Sequence, residues 1–497
     1  MNKFLKSLGF DAAEKKTNIR TEIVAGIVTF LAMAYILVVN PDAILSEDKT
    51  AMAKSSIFVA TALGAVIGSL LMAFLAKLPL AQASGMGLNY SVGAILGGSL
   101  GFAMSYGNAM LLVLISGLVF LALSVIKIKG VAIRELIFDG IPECVRGAIS
   151  VGIGLFIAFI GMQNAGLIVS PGFILDFGEG PFIVAGTLVD LTKFNVYGDV
   201  YAASGAVVCL IGLISIAVLE HFKVKGSVII GIIIATIVGI PLGVTTWSGE
   251  SWAFWTYFEK FFSFDAANGG AFFATFTQGF TFAEGASIMP IVMTIITFCM
   301  IDMFDTMGTV VGCCVPVGLC DEKGKPLNYN KIMMSDSVAT CAGALFGTST
   351  VTTFVESGSG IAAGGRTGLT AFVTACLFFL SIFLFPIFAS IPGAAAASAL
   401  IYVGVLMLKG IVNIKIDTIK NAVPAFLTIA MMPLAYSITD GIGFGILSYV
   451  LIDLLIYLVD TIKYYLFKKG EKPVWDLHLV TIIVAVLFLV YFFVPVA

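Results

Sequence analysis

Asp302-Met-Phe-Asp305-Thr-Met-Gly308-Thr309 and, further on, Thr348-Ser-Thr-Val-Thr-Thr-Phe-Val-Glu356-Ser-Gly-Ser-Gly360 are polar stretches in a chain that is otherwise almost all hydrocarbon. They place three carboxylates, Asp302, Asp305 and Glu356, inside runs apolar enough to cross a bilayer. A charge at the membrane centre costs about 2.5–3.5 kcal/mol on insertion scales, so such residues are retained chiefly for handling a solute or an ion. The plainer alternative is a polar contact between helices with no further role.

The surrounding composition sets the class. Of 497 residues, 59% are hydrophobic and 11% charged, and the mean hydropathy is +1.06. A water-soluble chain of this length needs far more charged surface, so the sequence predicts an all-α polytopic membrane protein in contact with the lipid bilayer. Spans need about 20 apolar residues each. Fourteen candidate runs precede residue 463, several of them short or broken by Gly and Pro, and a further apolar run, 478–497, closes the chain. With a cytoplasmic N-terminus and fourteen crossings, 23 of the 27 Lys and Arg fall on the inner side, leaving Lys49, Lys54, Lys193 and Lys260 outside. That bias matches the positive-inside rule and predicts a plasma-membrane protein. Residues 1–20 are charged and amphipathic without an apolar core, which argues against a cleaved signal peptide. The eight cysteines show no metal-ligand spacing and read as small apolar fillers. No metal, cofactor or nucleic-acid signature accompanies them.

The chain also repeats itself. Val59-Ala-Thr-Ala-Leu-Gly64-Ala-Val-Ile-Gly68-Ser69 and Val338-Ala-Thr-Cys-Ala-Gly343-Ala-Leu-Phe-Gly347-Thr348 share Val, Ala, Thr, Gly, Ala and Gly in register. Each copy leads into an odd segment. Leu78-Pro-Leu-Ala-Gln-Ala-Ser-Gly85 reads as extended and is followed by a short helix from Met86; Thr348 to Phe354 is β-branched and strand-like, with a half-helix starting at Glu356. With seven crossings per half, the copies enter the membrane from opposite sides. Such a 7+7 inverted repeat places its binding site near the midplane, where broken helices meet. Irregular backbone survives there only if protein satisfies its polar groups, which two short antiparallel strands in segments 3 and 10 would do. Elsewhere, Asp336 reads as a helix cap, Arg366 as an inner anchor and Asp440 as a surface charge.

Gly85-Met-Gly-Leu-Asn89, Asp302 to Thr309, Gly347 to Ser357 and Ala363-Gly-Gly-Arg-Thr-Gly368 together resemble the nucleobase–cation symporter-2 superfamily, and within it the AzgA-like hypoxanthine/guanine/adenine permeases. The similarity covers roughly residues 18 to 465. It implies a core domain (21–132 and 289–388) and a gate domain (142–246 and 391–462), with 247–288 an extracellular loop and 463–497 a cytoplasmic linker plus the last apolar segment. Homodimers are frequent in the fold. The resemblance implies secondary active import of purine bases, guanine and hypoxanthine first and adenine third, by proton symport with Na⁺ as the alternative ion. The motif positions fall on Asp305 and Gly308, with Asp302 a turn earlier, and on Glu356, Phe354 and Asn89. Tyr90-Ser91 follows Asn89 where many relatives carry Ala-Tyr-Phe, which leaves the choice among purines open.

The chemistry suits those positions. A carboxylate accepts two parallel charge-assisted hydrogen bonds from adjacent N–H groups, as guanine offers, and Glu356 is the candidate. Asn89 supplies a donor and an acceptor, Phe354 a ring to stack on, and Ser357 and Thr309 flanking hydroxyls. Asp305 and Asp302 are the candidates for proton coupling, because a carboxylate in a low-dielectric site takes up protons more readily. Uracil, xanthine or a small anion remain alternative solutes, though Glu356 would repel an anion. A membrane aspartyl protease would need a Gly-x-Gly-Asp motif and its two aspartates on different helices; no such motif occurs, so no enzyme is expected.

Overall fold

The computed structural model describes residues 17–45, 52–98, 102, 104–128, 131–168, 172–176, 181–185, 200–250, 252–264, 269–282, 288–314, 317–320, 326–465, 475 and 477–493. The amphipathic expectation for residues 1–16 lies outside them. Among the described residues, nine helices are long and apolar enough to cross a membrane, and three shorter apolar helices, Ser227–Gly239, Ile419–Leu434 and Leu479–Phe493, accompany them. The protein is a mostly helical, multi-pass membrane protein.

The elements that build its centre come from both halves. The first apolar segment is split into α1 (Ile19–Met33) and α2 (Ile36–Leu45), with Ala34 and Tyr35 in the break. Next come α3 (Lys54–Leu71), strand β1 (Gln82–Ser84), α4 (Met86–Gly97), α5 (Tyr106–Val125) and α6 (Glu143–Asn164). The second half supplies α7 (Ile288–Cys314), α8 (Tyr329–Phe346), strand β2 (Val351–Thr353), the short α9 (Ser357–Ala362), α10 (Gly368–Ser381), α11 (Gly393–Leu408), α12 (Ile419–Leu434), α13 (Ile438–Tyr465) and α14 (Leu479–Phe493).

The two strands pair antiparallel, Gln82 with Thr353, Ala83 with Thr352 and Ser84 with Val351. Phe354 N–H donates to Ala81 C=O at 3.1 Å and Gly85 N–H to Thr350 C=O at 2.8 Å, extending the ladder at both ends. Val-Thr-Thr favours this conformation because branched Cβ atoms suit the pleat. The pair also satisfies backbone groups that have no water to turn to inside a membrane.

The repeated glycines explain where the strands sit. A Cβ on Gly68 would lie 2.8 Å from both Gln82 Cβ and Val351 Cγ1, and one on Gly343 would lie 2.7 Å from Val351 Cγ2. The small positions of α3 and α8 thus form a floor for the crossing, and the two helices pack on each other. Small residues serve the same end elsewhere, since α6 packs against α11 and α12 with Gly154 beside Met407 and the Gly404 carbonyl.

Two expectations change, those for Asp336 and Asp440. Asp336 is no cap: α8 begins at Tyr329, so Asp336 lies in the helix interior, fully buried, and accepts from Gln82 Nε2 at 2.6 Å. Asp440 is partly buried and interacts with Tyr491 of α14, which packs on α13. Arg366 donates from Nη1 to the Ile361 and Gly365 carbonyls at 2.6 and 2.7 Å, satisfying the end of α9.

Candidate functional site

Where the strands end and their helices begin, the backbone turns away from the pair and leaves a cavity of about 330 Å³. One wall is Gly85, Met86 and Gly87 at the start of α4, then Thr353, Phe354, Val355 and Glu356, with Asp305, Gly308 and Thr309 of α7 beside them. The rest of the lining is mostly apolar: Ile153 and Ile157 of α6 with Ser150 beside them, and Val403, Leu406 and Met407 of α11. Its volume lies at the small end of small-molecule sites, which span about 300–1,000 Å³. A second cavity of about 560 Å³ meets it at Val355, Glu356, Leu406 and Lys409 and is lined further by Glu220, Lys223, Lys225 and Ser227.

Four of the seven residues singled out from the sequence, Glu356, Asp305, Phe354 and Thr309, line the first cavity. Glu356 sits at the N-terminus of α9, where its carboxylate is 6% exposed and Oε1 accepts a 2.7 Å hydrogen bond from the Tyr35 hydroxyl. Its negative charge is near enough to act on Asp305. Phe354 is held by its N–H in the strand crossing and shows 5% of its surface. The first turn of α4 adds backbone N–H groups that no helical carbonyl can reach, at Met86 and Gly87 on the cavity wall.

The other three lie off the cavity. Asn89 is fully buried, with Oδ1 accepting from Ser84 Oγ at 3.1 Å and from Ser349 Oγ. Ser357 Oγ accepts from Ala81 N–H at 3.0 Å and so buttresses the strand crossing. Asp302, one helical turn before Asp305, is 1% exposed and accepts from Thr340 Oγ1 at 2.7 Å. Strand backbone and neighbouring hydroxyls claim these polar atoms first.

Sequence reasoning missed Tyr35. The available signal was slight: it is the single tyrosine of the first apolar segment. Its proximity to Glu356 across 321 positions is visible only in three dimensions.

Residues 20–444 match the family model Xan_ur_permease, described as Permease family. The chain belongs to this family. Among curated relatives, adenine permease AdeP of Escherichia coli is 33% identical over 97% of this chain and 94% of its own. Guanine/hypoxanthine permease PbuO of Bacillus subtilis is 32% identical over 98% of this chain and 100% of its own. The putative permease MJ0326 of Methanocaldococcus jannaschii is 35% identical over 88% of this chain and 90% of its own. Among solved structures, the transmembrane domain of the cyanobacterial bicarbonate transporter BicA superposes with a TM-score of 0.59 at 17% identity, over 86% of this permease and 97% of that chain. At that identity the likeness concerns the fold.

Proposed function

We propose that this permease imports purine nucleobases, guanine and hypoxanthine first and adenine third, across the plasma membrane in symport with protons. It is a carrier and not an enzyme. The observation that carries this reading is the cavity lined by Asp305, Glu356 and Phe354 together with the aliphatic side chains of α6 and α11. A flat neutral ring rimmed with N–H donors fits that arrangement. Phe354 and the aliphatic wall take its faces, and Glu356 accepts from N1–H and the exocyclic amine. Glu356 Oε1 already accepts from Tyr35, so Oε2 and the remaining lone pair of Oε1 are left for the base. Thr309 adds a hydroxyl. Asn89 and Ser357 act from behind by holding the strand crossing.

In this reading the fourteen segments form a 7+7 inverted repeat. The core domain is 21–132 with 289–388, the gate domain 142–246 with 391–462, and the cavity lies between them. Support comes from the strand register, whose central pair is Ala83 with Thr352, one residue from each half, and from the shared glycine floor. With the N-terminus cytoplasmic, Lys409 and Gly410 mark the inner mouth of the cavity, so this conformation opens inward. Core-against-gate sliding then exposes the site to the outside, in a homodimer or a monomer. Asp305 and Asp302 couple that motion to protons, with Na⁺ the alternative.

The test is uptake of labelled guanine, hypoxanthine, adenine, xanthine and uracil in cells lacking their own permeases, with and without a protonophore. Protonophore-sensitive uptake confined to purines is expected. No uptake of any purine would overturn the reading, and uptake driven by Na⁺ alone would overturn its proton part.

A further inference from the structure

Two buried carboxylates lie outside the lining of either cavity, on the α7 and α8 side of the strand pair. Asp302 on α7 and Asp336 on α8 are 1% and 0% exposed, and the charge of Asp302 acts on Asp336. Threonine hydroxyls knit them together. Thr340 Oγ1 donates to Asp302 Oδ2 at 2.7 Å, and Thr306 Oγ1 lies 2.7 Å from Thr352 Oγ1. Thr352 in turn interacts with Asp302, and Thr306 and Thr353 with Asp336. Gln82 Nε2 donates to Asp336 Oδ1 at 2.6 Å. Among the described residues, Asp302 Oδ1, Asp336 Oδ2 and Gln82 Oε1 are buried without a well-aligned hydrogen bond.

Among the described residues, nothing basic acts on the pair. Asp305, a turn further along α7, acts on both carboxylates. Cys299 of α7 and Cys341 of α8 face Asp302, and the strands bring only threonine and glutamine. From α3 the one charged residue is Lys54 at its first position, and from α5 the one titratable group is Tyr106, whose hydroxyl donates to the Gly347 carbonyl. Keeping two buried like charges ionised together without a counter-charge is costly.

The other half of the repeat gives the contrast. Thr61 and Thr340 hold the same place in the Val-Ala-Thr motif. Thr340 meets the carboxylate of Asp302, whereas Thr61 meets the amide of Asn40 at 2.6 Å. Asn40 also donates to Thr348, and Ser84, Ser349 and Asn89 complete a wholly neutral network. Packing against the strands is therefore achieved without charge on one side, and the acids on the other side need a separate reason.

We propose that Asp302 and Asp336 together hold one exchangeable proton, and that this pair, apart from the cavity that takes the base, is where the coupling ion rides. The step is proton binding alone: H⁺ from the outer aqueous phase attaches to one carboxylate, hydrogen-bonds towards the other and is released inside, with no bond of the base altered. Asp305, on the cavity wall and acting on both carboxylates, makes the pair's charge felt at the base. This inference rests on the purine-import reading, so part of its test needs no purine.

Infrared difference spectra of the purified wild-type protein across a pH titration should contain a protonated-carboxyl band that both Asp302→Asn and Asp336→Asn remove and that Glu356→Gln leaves in place. A band lost in only one of the two variants, or no such band in the wild type, overturns the shared proton. In proteoliposomes, Asp336→Asn should lower guanine-driven proton flux more than ten-fold while guanine–guanine exchange is still measurable. Undiminished proton flux overturns the proposal, as does accumulation that follows a Na⁺ gradient and ignores pH. Should the Asn variants fail to fold, labelling of the wild type by a hydrophobic carbodiimide, mapped by mass spectrometry, decides: pH-dependent modification at Asp302 or Asp336 is expected, and its absence overturns the assignment. Lack of guanine transport by the wild type, with the infrared result intact, would sink the transport reading and spare the proton site.

Discussion

The Tyr35 hydroxyl donates to Glu356 Oε1 at 2.7 Å, joining the break in the first membrane segment to the tip of the half-helix at the cavity. Both residues are buried, Tyr35 completely. The bond engages one oxygen of a carboxylate that lines the cavity.

Removing that hydroxyl tests its role. A hydrogen bond to a charged group contributes about 1.5–3 kcal/mol, and about 1.4 kcal/mol is ten-fold in affinity. Tyr35→Phe is expected to raise the KM for guanine about ten-fold or more, with surface expression intact. An unchanged KM would show that Glu356 keeps its orientation without the phenol.

Glu356→Gln keeps the shape of the side chain and one acceptor but loses the charge that strengthens the hydrogen bonds. Uptake is expected to vanish while the protein still reaches the membrane. Wild-type-like transport by this variant, measured with labelled hypoxanthine, would remove Glu356 from the site.

Asp305 lines the cavity together with Glu356 and Phe354. With Asp305→Asn, base binding measured by isothermal titration is expected to persist while uphill accumulation is lost. Retained accumulation against a gradient would rule out a coupling role for Asp305.

The glycine floor makes a structural prediction. A Cβ at Gly343 would fall 2.7 Å from Val351 Cγ2 and 2.8 Å from the Ser349 carbonyl, whereas one at Gly393 meets nothing within 4 Å. Overpacking of this kind costs about 1–3 kcal/mol. Gly343→Val is expected to lower the thermal midpoint of detergent-purified protein by several degrees, and Gly393→Ala to leave it in place. Equal midpoints would mean that the strand pair does not rest on α8 as described.

Some of the site was legible from residue type alone. Asp305 and Glu356 were conspicuous because a carboxylate in an apolar run is costly, while Phe354 came from the resemblance to the permease family and Thr309 from its place in the quoted Asp302–Thr309 motif. Asn89 and Ser357 were legible as polar groups at the broken segments but not as to what they touch: Ser349 and Ala81, which engage them, come from the opposite half of the chain. Asp336 was misjudged for a related reason. Its neighbours in sequence suit a helix start, while its partner Gln82 lies 254 positions away.

Local chemistry in the sequence determined the membrane class, the broken segments and the extended Val-Thr-Thr stretch, because hydropathy, glycine spacing and β-branching act over a few residues. The tertiary structure alone decided which polar atoms face the cavity, that Tyr35 meets Glu356, and that Asp302 has Asp336 for a neighbour. Those outcomes depend on two distant strands crossing over glycines, and the crossing takes up the nearest hydrogen-bonding groups before any ligand can.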